Sequence, residues 1–435
     1  MTEMAQSTTA SRRSAQVVAA RLGRRYSAER TFRLLGLAAV VISIGFLGML
    51  LVSIVGKGAT AFLQTQVALE INFDPAVIDP QGTRDPAALD TADYQQLIRT
   101  AMITRLAPDA DRTTRRDLTA MISAGAANQL RSMVVANPAL IGTSHAVWLI
   151  AKDSVDMVMK GQASRQAGVG GNTLNERQQG WLSDLESSEQ IRKAFNTTFF
   201  SVGDSRDPEL AGIWGAVAGS FFSLLVTLVV SFPLGVAAAV YLEEFAPINR
   251  WTDVIEVNIN NLAAVPSVVF GLLGLAVFLN VFHLPRSAPL VGGLVLALIC
   301  LPTIIIAGRA ALKSVPPSIR QAAAGLGASP LQIVAHHVLP LAMPGMLTGT
   351  ILGMARALGE TAPLLMIGMV AFIVDIPKGP LDPSAVLPVQ VYLWAGSSER
   401  AFVEKTSAAI LVLLLFLVAM NMVAIVMRKK FERRW

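Results

Sequence analysis

The chain has 435 residues, of which 53% are hydrophobic and only 15% charged, and its mean hydropathy is +0.53. This composition excludes an ordinary soluble domain and predicts a membrane protein, and the single cysteine excludes an intrachain disulfide. The net charge of +6 is concentrated in the two terminal segments, which favours anchoring at the cytoplasmic surface of a membrane and makes nucleic acid a poor candidate partner.

The first predicted elements are a basic tail, residues 1–33, and a transmembrane helix, residues 34–56. Residues 34–55 contain no charged side chain, and at about 1.5 Å per residue they span roughly 33 Å, which is enough for the hydrocarbon core of a bilayer. This apolar run is too long for a signal peptide, and no convincing cleavage pattern follows it. We therefore predict a retained first span.

Residues 57–209 have the composition of a soluble domain, with many Asp and Arg side chains. If the basic tail is cytoplasmic, this block faces the periplasm or the cell exterior. Two stretches, 118–133 and 147–158, show helical spacing of apolar residues, which predicts a mainly helical inserted domain. Residues 168–172 (GVGGN) predict a flexible break rather than a phosphate loop, because no Lys-Ser/Thr follows. The block could be a lid, a docking surface or a spacer.

Residues 210–427 predict five further spans, which makes six in the whole chain. They cover residues 210–242, 257–282, 287–308, 341–374 and 406–427. Six spans place both termini on one side of the membrane, and the excess of positive charge in the short loops places that side in the cytoplasm. A second basic tail, residues 428–435, then lies there too, and lipid surrounds the spans.

A polar, helix-prone hairpin, residues 308–345, lies between the fourth and fifth spans and is predicted to be cytoplasmic. Small side chains keep its first helix thin, and Gly327 permits a turn that a side chain would obstruct. Ser329 and Pro330 can begin a second helix, and Pro340 is predicted to end it before the next span. Such a hairpin is well placed to be gripped by a soluble partner.

This pattern resembles the coupling loop, or EAA motif, of ABC importer permeases. The resemblance rests on a Gln-Ala-Ala triplet, a glycine four residues beyond it and a terminal Leu-Pro; Gln321 stands where glutamate is usual, and His337 where an aliphatic residue is usual. The residues that it implies for ATPase coupling are Gln321, Ala322, Ala323, Gly327, Ser329, Pro330 and Pro340.

Two further stretches resemble the PstA-type permeases of phosphate ABC importers. They are PLGVAAAVYLEEFAP, residues 233–247, a proline-containing helix with small residues suited to close packing, and NLAAVPSVVFG, residues 261–271. The resemblance runs from about residue 210 to the C-terminus. It implies an all-α type I permease fold in a bacterial inner membrane, with an inserted domain at residues 57–209. It also implies three partners: a paired phosphate permease, an ATP-binding ABC ATPase dimer and a periplasmic phosphate-binding protein.

Charged residues in the fifth span carry the most functional information. Each ionised group within a membrane costs a few kcal/mol or more, so Arg356 and Glu360 should face a cavity or a partner, and their spacing of four residues lets them pair. Pro363 leaves a carbonyl beside Glu360 without its helical donor and predicts a bend. One interpretation is a self-neutralising pair that locks two helices. The other, which the resemblance of RALGETAPLL to the family favours, is a translocation pathway comprising Arg356, Glu360, Pro363, Pro266 and Ser267.

Several motifs of other function classes are absent from the sequence. There is no GxxxxGK[ST], HExxH or GxSxG, and the four histidines show no metal-like spacing. We therefore expect no catalytic, cofactor or metal site, and ATP hydrolysis on a partner ATPase. The expected function is a permease subunit for inorganic phosphate. The alternatives are a permease for sulfate or molybdate and a non-transporting membrane receptor or scaffold.

Overall fold

The computed structural model describes residues 2–166 and 173–431. The predicted flexible break at 168–172 and the end of the C-terminal tail, 432–435, lie outside the described residues. The chain divides into two compact units, residues 1–56 and 57–435. The first unit consists of helix α1, Thr2–Gly58, which runs through both the predicted tail and the predicted first span. The apolar side chains of its span are exposed, as expected of a helix whose solvent is lipid.

Residues 63–201 form what we call the α/β domain. Its three strands are β1 Leu63–Asn72, β2 Ser144–Ile150 and β3 Ile191–Phe195, and they form an antiparallel sheet in the order β2-β1-β3. Its helices are α2 Pro75–Ile78, α3 Pro86–Thr91, α4 Tyr94–Leu106, α5 Arg112–Thr119, α6 Gly125–Ala136, α7 Asp153–Met159, α8 Glu176–Ser187 and α9 Thr197–Ser201. One face of the sheet packs on these helices around a continuous apolar core.

The prediction of a helix across residues 147–158 is wrong for its first half. Val147 and Leu149 are both buried, whereas Trp148 between them is less so, which is the period of two that a strand requires. Leu149 pairs with Val67 at the centre of β1, so the segment completes the sheet. Helix α7 begins only at Asp153. The stretch 118–133 is likewise two helices, α5 and α6, separated by a turn.

The regular elements in the rest of the described chain are all helices. Its helices are α10 Trp214–Val240, α11 Arg250–Ala264, α12 Ser267–Leu273, α13 Pro289–Lys313, α14 Pro317–Gly325, α15 Pro330–Ile333, α16 Leu339–Gly359, α17 Ala362–Met366, α18 Leu387–Ala395 and α19 Ala401–Phe431. By length and composition, the described residues contain five helices able to cross a membrane, or six if α11 and α12 together form one bent span.

Two predicted spans differ from straight helices. The third, 257–282, bends by 103° between α11 and α12, because Val265 precedes a proline, which disfavours helical backbone, and adopts the extended conformation. The fifth, 341–374, ends as a helix at Gly359. A short helix, α17, follows, and residues 370–386 contain none.

Helices α10, α13 and α16 pack closely through small residues. A Cβ on Gly308 of α13 would lie 2.8 Å from the Cβ of Ala239 in α10, and a Cβ on Gly345 of α16 would lie 2.6 Å from that of Ala311. Neither glycine could carry a side chain without moving its neighbour. The small-residue face predicted for residues 233–242 therefore contributes to this packing, and α13 lies between its two neighbours.

Candidate functional site

The hairpin of residues 308–345 contains a helix, a turn and a second helix, as predicted. Gly327 has φ +86°, a left-handed conformation that residues with a side chain rarely adopt. Ser329 caps α15: its Oγ accepts from Gln332 N at 3.4 Å, and Gln332 Oε1 accepts from Ser329 N at 2.9 Å. Pro330 occupies the first position of that helix, where no donor is needed.

The tip of the hairpin is exposed and partly apolar. Gln321 and Ala322 are exposed on α14, whereas Ala323 is buried. Two leucines near the turn, Leu326 and Leu331, are 90% and 68% exposed. These two leucines make the tip of the hairpin partly apolar.

Pro340 does not end the second helix, contrary to the prediction. A π-helical turn, Val334–Val338, follows α15 and leads directly into α16, in which Pro340 is near the first position. A helix normally breaks at proline because the ring collides with the carbonyl four residues earlier. The wider π turn shifts that carbonyl, so residues 330–359 form one helical segment that joins the hairpin to the fifth span.

Arg356 and Glu360 lie where α16 ends. Arg356 Nε is 3.5 Å from Glu360 Oε1, as the spacing of four residues predicts. The pair is loose and open, with 49% of the arginine side chain and 21% of the glutamate side chain exposed. Among the described residues, the Arg356 guanidinium makes no hydrogen bond, and this contact at Nε is its nearest approach to Glu360. This end of α16 therefore presents a cation with unused donors.

The other predicted pathway residues lie on neighbouring elements. Pro363 is buried in α17, and its Cα would be 2.7 Å from a Cβ on Gly271 of α12. Because Pro266 and Ser267 form the start of α12, this contact links the bend in the third span to the break in the fifth. Nearby, Cys300 of α13 donates its thiol to Gly353 O at 3.3 Å.

Sequence reasoning missed two groups of ion pairs, the first of which contains Glu243 and Glu244. In the structure these carboxylates bind arginines of α13 and α14. The sequence did contain a signal for these ion pairs, because two carboxylates and two arginines all lie at the predicted cytoplasmic ends of the spans. Lys160 of the α/β domain also binds Glu404 of α19, and their separation of 244 positions in the sequence leaves no local signal. Within the described residues, no three His, Cys, Asp or Glu side chains are grouped to hold a metal ion.

Comparison with known proteins identifies the family. Residues 231–435 match the family described as binding-protein-dependent transport system inner membrane component. Residues 19–168, which include much of the α/β domain, match a domain of unknown function, DUF3333. A solved structure of the MetNI methionine ABC transporter in an inward-facing conformation is 18% identical; the match covers 51% of this chain and 95% of that one, with a TM-score of 0.40.

Two of the similar proteins are phosphate transport system permease proteins. The chain is 32% identical over 225 residues to phosphate transport system permease protein PstA 1 of Mycobacterium tuberculosis (strain CDC 1551 / Oshkosh), covering 51% of this chain and 72% of the relative. It is 28% identical over 228 residues to phosphate transport system permease protein PstA of Haemophilus influenzae, covering 52% and 79%. The chain therefore belongs to the PstA-type permeases of the binding-protein-dependent ABC importers.

Proposed function

We propose that this permease subunit carries inorganic phosphate and that Arg356 contacts the anion in transit. The observation that supports this most directly is the open Arg356–Glu360 pair, whose nearest approach is 3.5 Å and whose arginine side chain is 49% exposed. Planar guanidinium donors match a tetrahedral oxyanion better than a point charge does. The names of the relatives, both phosphate transport permeases, support the same substrate.

In this proposal the bend at Pro266 and the break at Pro363 shape the pathway beside Arg356. Glu360 neutralises Arg356 when no anion is bound and releases it when phosphate arrives. The free energy that phosphate binding contributes must differ between the inward-open and outward-open states for transport to proceed. A periplasmic phosphate-binding protein would deliver the anion, and a second, similar permease would supply the other wall of the pathway.

The hairpin would take up the movement of a dimer of ATP-binding subunits. Its tip offers exposed leucines beside the Gln-Ala-Ala triplet, which suits docking in a groove of a soluble partner. Since residues 330–359 are one helical segment, a push on α15 would reach the end of α16 at Arg356. ATP hydrolysis would then drive alternating access without any catalytic group in this chain.

Phosphate uptake in cells that lack only this chain tests the substrate. Radiolabelled phosphate uptake at low phosphate should be lost and then restored by the chain, and excess sulfate or molybdate should not compete. Competition by either oxyanion would show that the substrate range is wider than phosphate, and phosphate uptake that does not depend on the chain would remove phosphate as the substrate. If no oxyanion is carried and no ATPase co-purifies with the chain, the receptor alternative replaces the transporter.

Substitution of Arg356 tests its role within the same assay. Arg356→Gln should abolish uptake while the complex still assembles, and Arg356→Lys should retain part of it, because lysine keeps the charge but not the planar fork. Arg250→Gln, at an exposed arginine that begins α11, is the matched control and should transport normally. Normal uptake by Arg356→Gln would contradict the proposed pathway.

A further inference from the structure

Glu243 and Glu244 lie in a π-helical turn, Tyr241–Phe245, which directly follows α10. Glu244 accepts two bonds from Arg320 of the hairpin: Arg320 Nη2 is 2.6 Å from Oε1, and Nε is 3.3 Å from Oε2. The same guanidinium donates to Val315 O at 2.7 Å and to Leu312 O at 3.0 Å, at the end of α13. One side chain of the hairpin therefore holds the ends of two apolar helices.

Glu243, the second carboxylate, is bound by an arginine that also reaches a third carboxylate. Arg309 of α13 donates from Nε to Glu243 Oε2 at 3.3 Å and from Nη2 to Glu256 Oε2 at 2.9 Å. Glu256 lies in α11, the helix that bends into α12 at Pro266. A chain of ion pairs thus runs from α14 of the hairpin through the ends of α10 and α13 to α11.

Burial and geometry distinguish these pairs from ordinary surface ion pairs. The side chains of Arg309 and Glu243 are each 16% exposed, and those of Glu244 and Arg320 are 11% and 27% exposed, whereas that of Glu256 at the far end is 44% exposed. The Arg320–Glu244 contact is bidentate, which fixes the orientation of both groups. Apolar contacts also hold the base of the hairpin, through residues such as Leu312 and Val338, but these are not directional and permit sliding. The ion pairs add directional contacts to the apolar packing between the hairpin and α10.

We propose that Arg320 and Glu244 form the joint through which movement of the hairpin is passed to α10, and that Arg309 passes it on to α11. These are positioning residues, because none of them lies at the predicted pathway residues. The inference rests on the proposed function, in which an ATPase moves the hairpin. A fixed joint keeps the ends of α10, α11 and α13 moving together when α14 is pushed, so the bend at Pro266 follows each ATP cycle.

The joint is tested by the amount of ATP hydrolysed per anion transported, measured with the complete transporter in proteoliposomes. Arg320→Gln and Glu244→Gln should each raise this ratio about tenfold, the loss expected when one charge-assisted contact is removed. ATP hydrolysis should continue while uptake falls. Arg320→Lys should raise the ratio less than Arg320→Gln, because the ammonium group keeps the charge and can still donate to Glu244. Arg250→Gln should leave the ratio unchanged.

Each result decides the question. An unchanged ratio in both single variants, including one in which hydrolysis and uptake fall in parallel, overturns the joint, and so does an Arg320→Lys variant whose ratio rises as far as that of Arg320→Gln. The assay uses whichever oxyanion the unmodified transporter carries. A substrate other than phosphate therefore overturns the proposed function without deciding the joint, and an unchanged ratio overturns the joint without affecting the substrate.

Discussion

Lys160 is held almost entirely out of solvent between the α/β domain and α19. Its Nζ lies 2.6 Å from Asp156 Oδ2 and 3.0 Å from Glu404 Oε1, and the side chains of Lys160 and Glu404 are 2% and 4% exposed. The other oxygen of Asp156 accepts from Thr65 N at 2.8 Å, which extends the cluster to β1. One ammonium group thus joins a strand, a domain helix and the start of the last apolar helix.

We expect Lys160→Met to destabilise the protein by about 3–5 kcal/mol, because it removes the cation bound to two buried carboxylates and leaves only Lys405 nearby as a counter-charge. Thermal unfolding of the purified protein in detergent measures this loss. Lys152→Met, at an exposed lysine one residue before α7, is the control and should stay within about 0.5 kcal/mol of the unmodified protein. Equal melting temperatures for the two variants would contradict a structural role for the cluster.

Glu209, just before α10, is a buried carboxyl with little compensation. It is 4% exposed, and its Oε2 has no hydrogen-bond partner among the described residues. Burial is the main reason that the pKa of Glu209 lies above its usual range, and the nearby Asp153 and Asp207 raise it further. Burial raises the pKa of Asp153 in the same way. Folding therefore favours the protonated form of Glu209.

The stability contributed by Glu209 should therefore depend on pH. It is fully present below the unfolded pKa of about 4.3 and is lost as the pH rises through the raised folded pKa. Glu209→Gln, which resembles the protonated form at every pH, should melt at a higher temperature than the unmodified protein at pH 7.5, and the difference should shrink towards pH 4. A difference that does not change with pH would show that ionisation of Glu209 does not limit stability.

At the scale of the element, the hairpin turn depends on one residue. Gly327 has φ +86° and open space around it, so a larger residue meets backbone strain of about 1–2 kcal/mol rather than a collision. The strain falls on the turn that orients α14 against α15. The hairpin is therefore expected to change shape without disturbing the packed helices below it.

Gly327→Leu should uncouple ATP hydrolysis from uptake, because the altered turn no longer presents both helices to the ATPase together. The ratio of ATP hydrolysed to anion transported, measured in proteoliposomes, should rise. Gly325→Ala is the matched control, since Gly325 is in helical backbone with no atom within 4 Å of an added Cβ. Normal transport by Gly327→Leu would remove the turn from the coupling pathway.

At the scale of the whole molecule, the chain is an ABC importer permease subunit of the type I fold and a multi-pass inner membrane protein. The predicted arrangement puts the α/β domain outside and the hairpin in the cytoplasm. Labelling can test this arrangement directly because the sequence has one cysteine, Cys300, which is 1% exposed. Cys300→Ser keeps a donor for Gly353 O and provides a cysteine-free background.

In that background, Asp109→Cys in the α/β domain should react with a membrane-impermeant maleimide on intact spheroplasts. Ala324→Cys in the hairpin should react only after permeabilisation. Both positions are exposed in the structure, so a failure to react reports the side of the membrane rather than burial. The reverse pattern would invert the predicted topology and remove the hairpin from contact with a cytoplasmic ATPase.

Local features of the sequence determined much of the permease part of this protein. Runs of apolar residues gave the positions of the membrane helices, because the bilayer imposes a length of about 20 residues on each. The turn at Gly327, the cap at Ser329 and the pairing of Arg356 with Glu360 were predictable, since each depends on residues at most four apart. The break at Gly359 was visible only as a bend near Pro363, and the passage of Pro340 through a π turn was not visible at all.

The strand pairing and the long-range ion pairs could be read only from the folded structure, because they depend on residues far apart in the chain. The sheet of the α/β domain pairs β1 with strands that follow it by about 70 and 120 residues, so helical and strand patterns could not be told apart locally. The sequence likewise did not show which carboxylates bind Arg320 and Lys160. A charge at a helix end predicts that a partner is needed, but which carboxylate meets it depends on how the helices pack.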